Sequence, residues 1–236
     1  MISFQNVSKS FGRLKVLNDI TLECFPNECI ALIGPNGCGK TTLIKCILGM
    51  VIPNHGKINF NGQSIKDQHE YRNQIGFMPQ IGRYPDNMTI GQIIEMMKEM
   101  RQTSRAGDSD LFNWFDLGAL SHKKMRTLSG GTTQKISATL AFLFNPDVLI
   151  LDEPTAGLDP VSAELLKQKI QKEKQKGKLI LMTSHMLSDL DGLATGIIFM
   201  NEGQIQFKKS TEELMNNTGQ NTVSKAILEI LKPGNK

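Results

Sequence analysis

Two glycine-rich segments of this chain have the composition to cradle phosphate groups. The first is Gly34-Pro35-Asn36-Gly37-Cys38-Gly39-Lys40-Thr41, followed by Thr42; the second is Leu128-Ser129-Gly130-Gly131, followed by Thr132-Thr133-Gln134. The first fits the pattern G-x-x-x-x-G-K-[ST]. In that pattern the glycines let consecutive backbone N–H groups turn toward the phosphates, and the start of a helix adds its partial positive charge. Lys40 is then placed to reach the β- and γ-phosphates, and Thr41 to ligate Mg²⁺. A glycine-rich turn that meets the pattern by chance is the plain alternative. The flanks argue against it: Cys29-Ile30-Ala31-Leu32-Ile33 reads as a buried parallel strand, and Lys40 to Gly49 has helical character ending on glycine.

A nucleotide site of this kind needs carboxylates on a neighbouring strand. Val148-Leu149-Ile150-Leu151 is a continuous apolar run ending in Asp152-Glu153, which puts both acids at the carboxyl end of a buried strand. Asp152 would hold Mg²⁺, through water, and Glu153 would polarise an attacking water. Solvated loop acids after a core strand are the alternative; Pro154 follows at once and weakens it.

With these segments in place, the chain resembles the nucleotide-binding subunit of ATP-binding cassette (ABC) transporters over roughly residues 1 to 210. The match runs in order through Phe11 in Lys9-Ser10-Phe11-Gly12, the P-loop at 34 to 41, and Gln80 after Gly76-Phe77-Met78-Pro79. It continues through Leu128 to Gly131, Asp152-Glu153, Asp159 in Ala156-Gly157-Leu158-Asp159, and His185 after Thr183-Ser184. Any one of these is common in proteins; the ordered set is not.

The resemblance implies an α/β fold of the ABC ATPase type: a P-loop NTPase (RecA-like) core, a flanking antiparallel β subdomain and a helical insertion. It implies ATP and Mg²⁺ as ligands and a head-to-tail homodimer or pseudo-dimer. Each ATP would lie between the P-loop of one subunit and Ser129-Gly130-Gly131 of the other. The residues make sense of this, since unhindered N–H groups and a hydroxyl at the start of the apolar helix Thr132 to Phe144 can donate to a γ-phosphate. Alone, Leu128 to Gly131 would be an ordinary loop and N-cap. By the same resemblance Phe11 stacks on adenine and Gln80 senses Mg²⁺ and water at the hinge to the insertion. His185 contacts the γ-phosphate and, with Glu153, holds the attacking water. Asp159 links the dimer, and it is also the natural N-cap of a helix that begins with Pro160.

The departures are mild. Phe11 stands in place of a more usual tyrosine and keeps the π-face. Lys135 stands where arginine commonly follows the signature glutamine, keeping charge but losing the planar fork. Asn27 occupies a turn position where glycine is frequent, and asparagine tolerates the left-handed conformation. None removes a catalytic group, so an active ATPase is expected.

These residues need elements to position them. Ile2 to Phe4 and Val16 to Leu22 read as strands, and Lys57 to Phe60 before Asn61-Gly62 reads as a hairpin; together they form a small antiparallel sheet. Residues from about 83 to 145 read as mostly helical, with Thr89-x-x-Gln92 as a capping box opening Ile90 to Arg101 and a polar break at Ser104 to Asp110. Strands at Leu179 to Thr183 and Gly196 to Met200 complete the core. Asp159 to Gln175 makes a crossover helix ended by Gly177, Ser210-x-x-Glu213 caps a short helix, and Val223 to Leu231 forms an amphipathic tail. The whole of 1–236 is expected to be one ATP-binding domain. Its core and β subdomain fall at 1–82 and 146–210, the insertion at 83–145 and the helical tail at 211–236.

Composition bounds the rest. A chain of 236 residues with 39% apolar content can bury a full α/β core. No apolar stretch approaches the ~20 residues that span a bilayer, and Met1-Ile2-Ser3-Phe4-Gln5 opens without a signal-peptide pattern. The expected location is therefore cytoplasmic, peripheral on the inner face of the membrane through a separate permease. Cys24, Cys29, Cys38 and Cys46 fit no zinc spacing and read as reduced structural thiols. The net charge of +4 is mild. The lysines of 167 to 178 alternate with Glu173 and glutamines without interleaved aromatics, as a solvated helix face does, so no nucleic-acid partner is expected.

For cargo, Tyr84 to Gln92 and Leu128 to Lys135 look like the ATPases of ABC-2 type transporters, and among these most like the copper-processing ATPases of nitrous oxide reductase maturation. No residue here is itself a copper ligand. The segment Tyr84-Pro85-Asp86-Asn87-Met88 would meet a permease coupling helix, or else Tyr84 and Met88 would pack inside the insertion. The soluble alternative is the ATPase of iron-sulfur cluster assembly, also a single cassette. A third is a regulatory cassette that binds ATP without turning it over.

Overall fold

The computed structural model describes residues 1–101 and 107–232; of the expected polar break, Ser104 to Ala106 lie outside them. The chain opens with two long strands, β1 (Ile2–Phe11) and β2 (Leu14–Cys24), hairpinned through Gly12-Arg13. Both run further than their alternating apolar segments indicate. Bulges in the β1–β2 register, with Asn6 and Asp19 at positive φ, let the ribbon continue past the last inward-facing residues. Next come β3 (Cys29–Ile33), α1 (Lys40–Ile47), and the hairpin of β4 (His55–Phe60) and β5 (Gln63–Ser64) around Asn61-Gly62.

β6 (Ile75–Met78) leads into the helical block: α2 (Ile90–Arg101), α3 (Asp110–Trp114) and α4 (Gly130–Phe142). Then follow β7 (Val148–Asp152), α5 (Pro160–Gln175), β8 (Leu179–Thr183), β9 (Gly196–Asn201), β10 (Gln204–Ser210), α6 (Thr211–Thr218) and α7 (Val223–Leu231). The signature helix thus begins at Gly130, two residues before its expected start, because Ser129 rather than a later residue serves as N-cap.

Among the described residues the strands form two sheets. One is antiparallel, ordered β2-β1-β4-β5; the other is ordered β10-β9-β3-β8-β7-β6, parallel from β9 to β6 with β10 antiparallel at its edge. β6 and β10 have no place among the strands expected from sequence. β6 holds only four residues, one of them glycine, and β10 alternates half-buried and exposed positions as an edge strand does.

The central strands β3, β7 and β8 are buried at every residue, and their side chains alternate between two cores. Cys29, Ala31, Ile33, Leu149 and Leu151 face α4, α5 and the tail, beside Phe142, Leu166, Ile170 and Ile227. Ile30, Leu32, Ile150 and Leu181 face α1 and the antiparallel sheet, beside Leu43, Ile44, Ile47, Phe4 and Leu17. The two-residue period of a strand therefore fixes the P-loop strand between two layers.

Local signals hold the remaining turns. Thr89 and Gln92 bond reciprocally, Thr89 N–H to Gln92 Oε1 at 2.9 Å and Gln92 N–H to Thr89 Oγ1 at 3.2 Å. Asn27 has φ 67° and Gly177 φ 82°, and their backbones bond at 2.8 Å. Ser210 Oγ accepts from Glu213 N–H at 3.0 Å. All four cysteines are buried and unpaired, and burial pushes the Cys24 and Cys29 thiols up to about 12 and Cys46 up to about 11. Tyr84 and Met88 are half-buried and pack against the core beside α4, with Tyr84 Oη 2.9 Å from Ser137 Oγ, which favours the packed one of their two sequence readings. Residues 81–88 themselves are a loop that closes in a turn, with Met88 N–H on Pro85 O at 3.1 Å, rather than a helix.

Candidate functional site

The parallel strands end nearly flush. Leu32 pairs with Thr183, Thr183 with Asp152, and Leu151 with Met78. The segments that leave these ends carry the P-loop after Ile33, Gln80 after Met78, Glu153 after Asp152, and His185 after Thr183. The carboxyl edge of a parallel sheet is where an α/β fold opens its binding crevice.

The P-loop conformation depends on glycine at two positions. Gly34 has φ 149°, and a Cβ there would sit 2.1 Å from Met200 O. Gly39, the N-cap of α1, has φ 109°, and a Cβ would sit 2.7 Å from Val16 O. The loop is thus wedged between β9 and β2 with no room for a side chain, while Pro35, Asn36 and Gly37 remain exposed. Cys38 is buried beneath them.

Lys40 is buried, and its ammonium bonds Gly34 O at 2.7 Å and Pro35 O at 3.0 Å, with Cys38 Sγ at 3.9 Å. Among the described residues it pairs with no carboxylate. A buried cation held by neutral carbonyls retains most of its charge for an incoming anion. Thr41 is exposed and Thr42 half-buried on the first turn of α1.

Asp152 is buried, and its Oδ1 accepts from Thr183 Oγ1 at 2.6 Å. The same hydroxyl accepts from Glu153 N–H at 2.9 Å, so one side chain fixes both acids. Glu153 has φ 52°, a conformation that costs an L-residue about 1–2 kcal/mol and turns its side chain out of the strand direction. Its Oε1 lies 2.8 Å from His185 Nε2, and His185 is the more exposed of the pair. In the sequence Thr183 reads only as the end of a strand two residues ahead of His185. A lone hydroxyl closing the apolar run Leu179 to Met182 is the signal that marks it.

Gln80 lies exposed beyond β6. Phe11 is 49% exposed, with the Lys9 ammonium 5.1 Å from its ring centroid. That leaves an aromatic face at the tip of the β1–β2 ribbon available for stacking.

The second cradle is built differently. Ser129 caps α4, accepting from Thr132 N–H at 3.2 Å and sharing a 2.9 Å hydrogen bond with Thr132 Oγ1; such a cap contributes about 1 kcal/mol. Gly130 is exposed, and a Cβ added to it would meet nothing within 4 Å, whereas one on Gly131 would lie 3.0 Å from Gly157 O. Lys135, one turn further along α4, pairs with Asp159 Oδ2 at 2.9 Å. Asp159 in turn caps α5, accepting from Ser162 N–H at 2.9 Å and Ser162 Oγ at 2.7 Å. Ser162 and then Lys135 hold its carboxyl well below the usual range. The structure thus gathers Lys40, Asp152, Glu153 and His185 at one sheet edge and sets Ser129 to Gly131 against the loop that leads to Asp159.

This α/β architecture, with a P-loop and a strand-end carboxylate pair, is that of a P-loop NTPase. Residues 17–156 match the family described as ABC transporter. The chain is 31% identical over 228 residues to an uncharacterized ABC transporter ATP-binding protein of Bacillus subtilis, covering 95% of this chain and 76% of that one. It is 32% identical over 223 residues to a lantibiotic transport ATP-binding protein of Streptococcus pyogenes, covering 92% and 96%. A Nod factor export ATP-binding protein of Burkholderia orbicola is 31% identical over 208 residues, covering 86% and 68%. A solved ATP-binding subunit of an ABC transporter superposes with a TM-score of 0.89 at 27% identity, covering 98% of this chain and all of that one. A dimeric bacterial ABC transporter cassette shares the fold with a TM-score of 0.79 at 20% identity, covering 89% and 98%. The chain belongs to the ABC transporter family; it is an ATP-binding subunit and an ATPase. Among the described residues no helix is long and apolar enough to cross a membrane.

Proposed function

We propose that this ATPase works as a head-to-tail dimer, of two copies or of this chain with a close relative, and drives a separate membrane-embedded permease. The observation that carries the reading is the convergence of Lys40, Asp152, Glu153 and His185 at one sheet edge while Ser129 to Gly131 faces outward, an acceptor site and a donor cradle that complete each other only between subunits.

The P-loop residues Gly34 to Thr42 hold the phosphates, and Phe11 stacks on the base. When phosphate enters, Lys40 exchanges its carbonyl contacts for phosphate oxygens, a charge-assisted replacement for neutral hydrogen bonds. The donor set fits Mg²⁺: one buried carboxylate, Asp152, and one exposed hydroxyl, Thr41, leave the other positions to water and phosphate. When bound, Mg²⁺ neutralises charge developing on the phosphates. Gln80 senses that ion and the water from the hinge. Glu153 and His185, now 2.8 Å apart, separate to admit the attacking water; Glu153 polarises it and His185 contacts the γ-phosphate. Ser129, Gly130 and Gly131 of the opposite subunit donate to the same phosphate, so hydrolysis removes what holds the dimer closed. Asp159 lies beside this contact and links the two subunits.

The exposed side of residues 81–88, with Ile81, Arg83, Asp86 and Asn87, is the surface offered to the permease, which would hold the chain at the inner face of the membrane. The named relatives act in lantibiotic transport and Nod factor export, and they favour an export permease over the iron-sulfur assembly alternative. Copper processing rests on the resemblance at Tyr84 to Gln92 and Leu128 to Lys135. Identifying the membrane protein that co-purifies in detergent separates these readings. Phosphate release by Glu153→Gln tests the chemistry: a loss of about 100-fold or more, with ATP-dependent dimers persisting, is expected. Equal rates would remove Glu153 from this role.

A further inference from the structure

Glu153 sits in a strained backbone conformation, and the structure restrains it from both sides. On the amino side Thr183 Oγ1 accepts its N–H at 2.9 Å. On the carboxyl side the chain turns, with Ala156 N–H on Glu153 O at 3.1 Å, and brings Thr155 under the segment that follows His185. There Thr155 Oγ1 donates to Asp189 Oδ2 at 2.6 Å. The other oxygen of Asp189 pairs with Lys167 Nζ of α5 at 2.7 Å, and the Asp189 side chain is only 12% exposed.

Asp189 lies on the short helical turn Leu187–Leu190, fixed by the fully buried Leu190 and by its own N–H on Met186 O at 3.0 Å. Two residues on, Asp191 accepts from Ser224 N–H at 3.0 Å and Ser224 Oγ at 2.8 Å, tying the same turn to the tail helix α7. One carboxylate therefore fastens the loop two residues past Glu153 to the turn four residues past His185. α5 supplies its countercharge. A strained residue persists where its surroundings over-determine it, and this bridge is the restraint on the side that Thr183 does not cover.

We propose that Asp189 is a positioning residue for hydrolysis: through Thr155 it holds the loop of Glu153 against the turn that follows His185, so that the two side chains stay aimed at one point when they part to receive the attacking water. This rests on the assignment of Glu153 as the group that polarises water. It adds that turnover depends on a hydrogen bond between two side chains that touch no substrate. The bridge has two separable parts, the Thr155 hydroxyl and the Lys167 ion pair. Only the first joins the two loops.

The test uses the full chain and measures kcat and KM for phosphate release, ATP affinity and urea midpoints. Thr155→Val and Asp189→Ala should each lower kcat roughly tenfold, within the ~100-fold that a 1 Å misplacement can cost, with KM and ATP affinity changed less than about twofold. The double variant should fall no lower than either single one, since both remove the same hydrogen bond. Thr155→Ser should restore kcat, and Asp189→Asn, which keeps an acceptor, should retain more activity than Asp189→Ala. Unchanged kcat in folded Thr155→Val, losses that add in the double variant, or losses confined to KM would each overturn the proposal. Glu153→Gln in the same assay distinguishes the two failures. If it abolishes turnover while Thr155→Val is silent, only the positioning role falls. If Glu153→Gln is itself silent, the assignment beneath it falls too.

Discussion

Two lysines are buried among the described residues, and they live in opposite surroundings. Lys169, on α5, is fully buried and pairs with Asp110 at 2.8 Å, Glu173 at 2.9 Å and Asp108, with the Phe142 ring 5.8 Å from its ammonium. Among the described residues the Lys40 ammonium bonds two backbone carbonyls and a thiol and no carboxylate. Burial alone would depress the Lys169 ammonium, but the hydrogen bonds it donates to Asp108, Asp110 and Glu173 outweigh that and raise it. Burial likewise pushes the Glu173 carboxyl up, and Lys176, Lys178 and Lys169 outweigh it to leave it near 2. The Lys169 cluster is electrostatically complete, and it joins α3 of the helical block to α5 of the core. The P-loop lysine is, among the described residues, a buried charge held by neutral groups, and under the proposed function phosphate would be its counter-ion. A buried cation is thus structural or functional according to whether the fold itself neutralises it.

The sharpest way to break this contrast is to delete each ammonium. Lys169→Met should destabilise the fold by about 3–5 kcal/mol in urea unfolding, because three carboxylates lose their shared partner. ATP affinity of the folded protein should stay unchanged. The same variant should alter the acid limb of stability. Asp110 and Glu173 are both held near 2, below their unfolded values of about 4. Their contribution is complete above about pH 5 and is lost as pH falls toward 2, so the wild type should lose more stability over that window than the variant does.

Lys40→Met should do the reverse, lowering turnover about 10²–10³-fold, as loss of one preorganised donor does, and weakening ATP binding while leaving the urea midpoint nearly unmoved. A large loss of stability would make Lys40 a structural cation after all. Gly130→Asp extends the comparison to the second cradle, with the smallest expected effect on the isolated chain. Its side chain meets open space, so stability and monomer ATP affinity should hold within about 0.5 kcal/mol. ATP-dependent dimer formation, read by size-exclusion chromatography, should weaken tenfold or more as the new carboxylate faces phosphate. Weakened monomer binding instead would mean that the second cradle serves its own P-loop.

Much of this was legible in the residues. The P-loop, the strand-end acids, the Thr89–Gln92 box and the Asp159 cap are local patterns whose physical requirement lies within a few residues of themselves. What stayed hidden has long-range causes. Thr183 is an unremarkable strand residue until the β7–β8 register sets it beside Asp152. Asp189 reads as one more polar turn residue until Thr155, thirty-four positions earlier, is folded onto it. The lysines of α5 read as a solvated face, yet Lys169 is the face turned inward, toward acids in a part of the chain with no helical period to announce them.

The sequence by itself determined the nucleotide chemistry, because glycine spacing, a lysine and two acids after an apolar run are demands made by phosphate and by the backbone. The tertiary structure alone decided how the acids are held, which buried lysine is neutralised, and that Tyr84 and Met88 face inward. Those outcomes depend on the register of strands and the packing of layers, where contacts join residues that no local pattern relates.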